Sequence, residues 1–270
     1  MKAQTKIHGR EKTDFGSVNY LHFRPRVNLG EPIFFLHGLG YKPDYYETLL
    51  EKLSEFHEVF APHAYGLNRL NPQPTTIEQY AEFSLEFSQR MHPGAKVHYI
   101  GHSLGGGVAI AAASESSDIS DVVALSPLLP VKFGPFGFVP RAVHKRLIEL
   151  SGISSEEGES SRAFAASITP EYLANILRNI KSSYALINSI CGFQYQNVSV
   201  SQPLLVLQAD EDEFFTLTER NRILLIDIAK NVEIRTLKNK NHDWPILWPQ
   251  QAYEEAMSFI EVQIQKRAVK

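Results

Sequence analysis

The chain alternates between short apolar runs and longer segments in which apolar residues recur every three or four positions. The runs predict strands buried on both faces, and the periodic segments predict amphipathic helices. We predict strands at residues 18–23, 33–36, 58–61, 97–100, 121–125, 204–207 and 232–237. Such alternation indicates an α/β fold, a mostly parallel, doubly wound sheet with helices on both faces.

Helix signals lie between these strands. Pro43 and Asp44 open a pattern that places Tyr46, Leu49 and Leu53 on one face. Thr75 and Glu78 have the spacing of a capping box and predict a helix that reaches about residue 91. Further helices are predicted at residues 108–113, 218–229 and 249–266.

The alternation of strand and helix breaks between about residues 127 and 202. This stretch has helical patterns but no clear strand, and residues 172–184 carry an apolar stripe at helical spacing. We therefore interpret residues 128–202 as a helical cap inserted into a core domain made of residues 1–127 and 203–270.

Composition narrows the class of protein. The 270 residues are 43% hydrophobic and 21% charged, and the formal net charge of -3 includes no basic stripe of the kind that binds nucleic acid. No apolar window is long enough to span a membrane, and residues 1–16 are too polar for a signal peptide. A single cysteine permits no intrachain disulfide. These features predict a cytoplasmic protein without integral membrane association, and they say nothing of its oligomeric state.

The chemistry begins with a glycine-rich turn at Gly101-His102-Ser103-Leu104-Gly105, between a predicted strand and a predicted helix. A serine in such a turn is held in strained geometry with its hydroxyl exposed at the sheet edge, which predicts that Ser103 is a nucleophile. We expect glycine to be required at positions 101 and 105 because a Cβ there would meet neighbouring backbone.

A serine hydroxyl needs an adjacent base, and this architecture orders the catalytic residues as serine, acid and histidine. His242 is the last histidine and follows the last predicted strand. Between Ser103 and His242, the strand at 204–207 runs into Asp210, Glu211 and Asp212. A carboxylate at a strand end can reach the imidazole and fix its orientation.

On these motifs the chain resembles the α/β-hydrolase superfamily over nearly its full length. The family often ends the acid strand with Gly-x-x-Asp, which implies that Asp212 is the acid; Asp210 remains an alternative because Ala209 replaces the usual glycine. The family's Gly-His before the final helix becomes Asn241-His242.

The oxyanion hole is expected to consist of two backbone N–H groups. The first belongs to Leu104, directly after the nucleophile. The family's His-Gly loop, here His37-Gly38, implies that the second belongs to Leu39. We expect His37 to stabilise this loop by hydrogen bonding, and His102 to pack beside the turn that carries Ser103.

Apolar residues near the predicted site suggest a substrate pocket lined by Phe133, Phe136, Phe138 and Trp244, with packing as the competing role for each. We expect Asp243 to be solvated or to form a local cap.

These residues favour an enzyme that cleaves a carboxylic ester of a small or medium apolar acyl group, with a small-molecule substrate and without cofactor or metal. Two alternatives stay open. The same triad acts on thioesters, lactones, amides or carbon–carbon bonds in related sequences, and a binding protein could retain the fold without turnover.

Overall fold

The structure is a computed structural model, and it describes residues 5–28, 30–64, 74–129, 198–212, 214–215 and 217–269. It also describes residues 174, 181, 184–186 and 188–189, which are helical. Most of the predicted cap at 128–202 therefore lies outside the described residues, and the division into core and cap remains a prediction.

The described strands form one sheet of eight, in the order β1-β2-β4-β3-β5-β6-β7-β8. Strands β3 to β8 are parallel, whereas β2 runs antiparallel to both of its neighbours. Their bounds are β1 Thr5–Thr13, β2 Gly16–Arg24, β3 Ile33–Leu36, β4 Val59–Pro62, β5 Val97–His102, β6 Ile119–Leu125, β7 Leu204–Ala209 and β8 Val232–Leu237.

Helices cover both faces of this sheet. A 3-10 helix at Pro43–Tyr46 leads into the α-helices, which are α1 Glu47–Leu53, α2 Ile77–Met91, α3 Leu104–Glu115, α4 Glu219–Ile228, α5 Trp244–Leu247 and α6 Pro249–Ala268. Alternate strand residues feed two separate cores. Phe34, Tyr99 and Val206 lie in the core with α2 and α3, whereas Phe35 and Ile100 lie in the core with α1 and α6. The predicted α/β fold is thus confirmed.

Strand β1 is the main element that the pattern of apolar residues did not predict. Its side chains are mostly polar and at least partly exposed, as expected for a strand at the edge of a sheet. It forms because its backbone pairs with β2 along its whole length, through a tight turn in which the hydroxyl of Thr13 donates to the carbonyl of Gly16. The stabilising interactions are therefore backbone hydrogen bonds rather than apolar burial.

The predicted cap of α2 was displaced by one residue. Thr76, not Thr75, occupies the N-cap, and its side chain accepts a hydrogen bond from the N–H of Gln79. The side chain of Gln79 reaches back to the N–H of Thr75 at 2.9 Å. The bond from Gln79 is made to the residue before the N-cap, so the geometry is a variant of the capping box, and Thr76 with Gln79 has the same spacing in the sequence as Thr75 with Glu78.

The C-terminal helix α6 is attached to the sheet by charge as well as by apolar packing. Nη1 of Arg267 lies 2.9 and 3.0 Å from the two carboxylate oxygens of Asp121, which is fully buried in β6. Among the helices that the structure describes, none combines the length and apolar character needed to cross a bilayer.

Candidate active site

Ser103 lies in the turn between β5 and α3, with backbone angles that non-glycine residues rarely adopt. Its φ is 56° and its ψ is −118°, and it is the N-cap of α3. The turn is held by its backbone: the N–H of Ser103 donates to the carbonyl of Leu125, and its carbonyl accepts from Gly106 and Leu128. The surrounding structure thus maintains a strained conformation, as is common at functional sites.

The two glycines of the turn are required by close backbone approach. A Cβ on Gly101 would lie 2.2 Å from the carbonyl oxygen of Gly105, and one on Gly105 would lie 2.0 Å from that of Leu36. The expectation that neither position tolerates a side chain is confirmed. Because these atoms are backbone, no side-chain rotation relieves the clash, so α3 packs against β3 only with glycine here.

His242 and Asp212 are brought together from different loops at the same edge of the sheet. Asp212 follows β7 and His242 follows β8, and Nδ1 of His242 lies 2.8 Å from Oδ2 of Asp212. Both residues are buried. An ionised carboxylate can accept a hydrogen bond but cannot donate one, so the proton of this bond is on Nδ1. When the ring is neutral, its lone pair is therefore on Nε2.

Asp212 is held by three further donors. Its Oδ1 accepts from the backbone N–H groups of Phe214 and Phe215, at 3.0 and 2.9 Å, and its Oδ2 accepts from Nε2 of Gln208 at 3.2 Å. The alternative acid, Asp210, is exposed and lies 3.5 Å from Nζ of Lys238. The structure therefore brings Asp212, and not Asp210, to His242.

The loop after β3 adopts a tight turn at Gly38–Tyr41. The N–H of Tyr41 donates to the carbonyl of Gly38 at 3.2 Å, which closes a four-residue turn. Gly40, the third residue of this turn, has a φ of 79°, a conformation that favours glycine. Within the described part of the chain, the N–H of Leu39 makes no hydrogen bond. The N–H of Leu104, in the first turn of α3, has no partner within its helix.

His37 stabilises this loop through two hydrogen bonds of its ring. The N–H of Ala64 donates to its Nε2 at 3.2 Å, so Nδ1 carries the proton and donates to the carbonyl of Gly38 at 2.8 Å. Complete burial lowers the pKa of His37 to about 3, so its ring is neutral at ordinary pH. The structure places His37 where it was expected to stabilise the loop.

Ser103 and His242 line one pocket, which has about 310 Å³ of empty space including a part open to solvent. The remaining described lining residues are predominantly apolar: Leu39, Tyr41, Leu128, Phe214 and Phe215. The rings of Phe214 and Phe215 lie 5.0 and 5.3 Å from the ring of His242. An apolar wall beside the imidazole favours an apolar ligand.

The residues predicted to line the pocket are located differently. Phe133, Phe136 and Phe138 lie outside the described residues. Trp244 is fully buried in the core with α1 and α6, and its Nε1 donates to the hydroxyl of Ser126 at 3.2 Å. This location corresponds to packing, the competing role, because the indole is covered on all sides.

Two residues near the site, His102 and Asp243, make more interactions than the sequence analysis predicted. His102 does more than pack, since both of its ring nitrogens are hydrogen-bonded. Asp243 is buried rather than solvated; it is the N-cap residue of α5, but its side chain accepts a hydrogen bond from the hydroxyl of Tyr41 instead of capping the helix. Phe214 and Phe215 were also missed, although an aromatic pair that begins two residues after the predicted acid is a signal that could have found them.

Comparison with known proteins places this chain in a family. The sequence profile of the alpha/beta hydrolase family matches residues 33–254, and the chain belongs to that family. No curated protein sequence is significantly similar to it.

Solved structures share the fold at low sequence identity. A putative lipase from Acinetobacter baumannii AYE is 14% identical, with a TM-score of 0.71 over 97% of this chain and 93% of its own. The 2-hydroxy-6-oxo-6-phenylhexa-2,4-dienoate hydrolase from Rhodococcus sp. strain RHA1 is 16% identical, with a TM-score of 0.73 over 96% of this chain and 100% of its own. An epoxide hydrolase is 17% identical, with a TM-score of 0.69 over 95% and 99%. Hydrolases of several bond types therefore share this architecture.

Proposed function

We propose that the protein is a serine hydrolase that cleaves carboxylic esters of small or medium apolar acyl groups, with Ser103, His242 and Asp212 as catalytic residues. The observation that carries the proposal is the pairing of His242 with a buried, fully hydrogen-bonded Asp212, in a pocket that also contains Ser103. A pocket with a nucleophile, a base and an orienting acid has the arrangement that acyl transfer requires.

In the proposed reaction, Nε2 of His242 takes the hydroxyl proton of Ser103 while its Oγ attacks the ester carbonyl carbon. Asp212 stabilises the imidazolium that forms. His242 then gives the proton to the departing alkoxide, which leaves as the alcohol and an acyl-enzyme remains. A water molecule, activated by the same imidazole, attacks the acyl carbon, and the acid and the free serine are released.

The N–H groups of Leu39 and Leu104 are proposed to hold the oxyanion. Both lie next to Ser103: Leu104 follows it in the chain, and a Cβ on Gly38 would come within 3.2 Å of the Cβ of Ser103. Their orientation is set by backbone, through the turn at Gly38–Tyr41 and the start of α3. Preorganised donors of this kind contribute about 100- to 1000-fold in rate each.

The choice of an ester rests on the nucleophile and the pocket. A serine nucleophile argues against epoxide opening, for which we expect an aspartate at position 103. The apolar lining favours an apolar acyl group, and we propose that residues 128–202 complete the pocket as a cap. A carbon–carbon, thioester, lactone or amide bond remains the alternative target of the same triad.

Labelling with a fluorophosphonate probe tests the proposal. We expect the wild type to label and Ser103→Ala to lose labelling completely, whereas Ser114→Ala, near the other end of α3, labels normally. A chain-length series of p-nitrophenyl esters, run beside thioesters and a diketone, then identifies the bond. A wild type that neither labels nor turns over any of these compounds would contradict the proposal and support a binding protein.

A further inference from the structure

We infer that His102 and Tyr46 are positioning residues that hold the oxyanion loop and the loop of the base in fixed relation, an inference that rests on the proposed function. Neither side chain lines the described pocket, and both are buried. Their role would be to transmit position: a chain of hydrogen bonds through these two side chains joins the backbone of Gly38 to the backbone of His242.

The connection between Gly38 and His242 consists of three hydrogen bonds, each between groups buried in the protein. The N–H of Gly38 donates to the hydroxyl of Tyr46 at 3.4 Å. The hydroxyl of Tyr46 lies 2.6 Å from Nδ1 of His102, and Nε2 of His102 lies 2.9 Å from the carbonyl oxygen of His242. The two loops, about 200 residues apart in the sequence, thus share a polar connection that passes beneath Ser103.

The direction of each bond follows from the acceptor at the end of the chain. A carbonyl oxygen only accepts, so Nε2 of His102 must carry a proton. Burial lowers the pKa of His102 to about 3, so the ring is neutral and Nδ1 has the lone pair. Nδ1 then accepts from the hydroxyl of Tyr46, whose oxygen is left to accept from Gly38. The carbonyl of His242 therefore selects the tautomer of His102, and the hydroxyl of Tyr46 donates to the lone pair that this tautomer leaves on Nδ1.

A second connection joins the same loops. Tyr41, which follows the oxyanion turn, donates its hydroxyl to the buried carboxylate of Asp243, which follows the base. The ring of Tyr41 also contacts that of His102 edge-on, at 5.8 Å between centroids. Two connections between two loops restrict rotation as well as translation. The base and the oxyanion donors are consequently held as one unit around Ser103.

Removing the hydroxyl of Tyr46 tests this role. Tyr46→Phe leaves the ring in place but removes the hydrogen-bond partner shared by Nδ1 of His102 and the N–H of Gly38, which breaks the connection to the oxyanion loop. We expect kcat/KM for a p-nitrophenyl ester, and the second-order rate of fluorophosphonate labelling, to fall about 10-fold, mainly through kcat. The matched control is Tyr99→Phe, which removes another buried hydroxyl that donates to the carbonyl of Ser84, far from the pocket. It should lower the melting temperature to a similar extent and leave both rates unchanged.

Substitution of His102 separates positioning from packing. Glutamine offers an N–H donor for the carbonyl of His242 and an oxygen for Tyr46, whereas leucine offers neither. We expect His102→Gln to retain most of the labelling rate and His102→Leu to lose about 10-fold or more. Because both residues act in one chain, Tyr46→Phe should add little to His102→Leu. A leucine variant as fast as the glutamine variant would overturn the inference.

The tautomer of His102 gives a measurement that does not depend on activity. Long-range ¹H–¹⁵N correlation spectra should show a neutral ring protonated at Nε2 in the wild type and in Tyr46→Phe, with the Nδ1 resonance shifted in the variant because its hydrogen-bond donor is lost. A wild-type ring protonated at Nδ1 would overturn the inference. Labelling of Tyr46→Phe at the wild-type rate would also overturn the inference, but it would leave the proposed hydrolase function intact. Absence of labelling in the wild type, in contrast, contradicts the hydrolase and leaves the tautomer as the test of the hydrogen-bond chain.

Discussion

The carboxylate of Asp212 and the imidazole of His242 meet at 2.8 Å, although the two residues belong to separate loops. Neither can move independently, because the carboxylate also accepts from Gln208 and from the backbone after it. The imidazole therefore has one orientation available, with Nε2 directed away from Asp212. The geometry of the proposed base is consequently determined by the loops that follow β7 and β8.

Replacing the carboxylate of Asp212 should remove the interaction that orients the imidazole of His242. We expect Asp212→Asn to lower kcat/KM for an ester by about 10⁴-fold, because the amide favours the wrong tautomer of His242. The matched control is Asp210→Asn, which removes a carboxylate from the same loop at the surface. It should change kcat/KM less than about 2-fold. Equal losses in both variants would show that Asp212 does not act as the acid.

The buried histidines make stability depend on pH. His37 and His102 have folded-state pKa values of about 3, well below the ordinary 6.5, because burial disfavours the charged ring. Between these values the unfolded chain binds more protons than the folded protein, so the free energy of unfolding should fall as the pH is lowered through this range. Each ring contributes a slope of about 1.4 kcal/mol per pH unit at its steepest.

Urea unfolding at a series of pH values between about 4 and 6 measures this slope. Replacing one histidine by a side chain that does not titrate should remove that residue's share. We expect His102→Gln to have a slope shallower than that of the wild type by about 1.4 kcal/mol per pH unit. An unchanged slope would mean that His102 is already protonated in the folded protein, or is not buried.

The turn that carries Ser103 should not accept a methyl group. In Gly105→Ala the new Cβ would lie 2.0 Å from the carbonyl oxygen of Leu36, so α3 and β3 must separate. We expect a loss of about 3 kcal/mol or more, seen in urea unfolding or as insoluble protein. Gly94→Ala is the control: its Cβ meets nothing, and only its φ of 71° costs about 1 kcal/mol.

The end of α6 should contribute to stability through its buried partner. Arg267→Met leaves the carboxylate of Asp121 without its two bonds to the guanidinium, and we expect a loss of about 2 kcal/mol in the free energy of unfolding. Lys266→Met, at the exposed neighbouring position, should change it by less than about 0.5 kcal/mol. Similar values for the two variants would show that the ion pair adds no net stability.

Sequence reasoning predicted the parallel strands because they are apolar on both faces, which only burial explains. It did not predict β1, since an edge strand satisfies its backbone without an apolar pattern. For the candidate site, motifs pointed to Ser103 and His242, which the structure brings into one pocket. The roles of His102 and Asp243 could not be predicted, because their partners, Tyr46 and Tyr41, come from a distant part of the chain.

Phe214 and Phe215 donate their peptide N–H groups to Asp212, while their rings line the pocket. Selection for a new substrate can therefore reshape the pocket by exchanging the two rings without displacing the proposed acid. In this short segment, the backbone N–H groups that hold Asp212 are thus independent of the side chains that line the pocket. This separation offers a physical route by which enzymes with the same chemistry acquire different preferences.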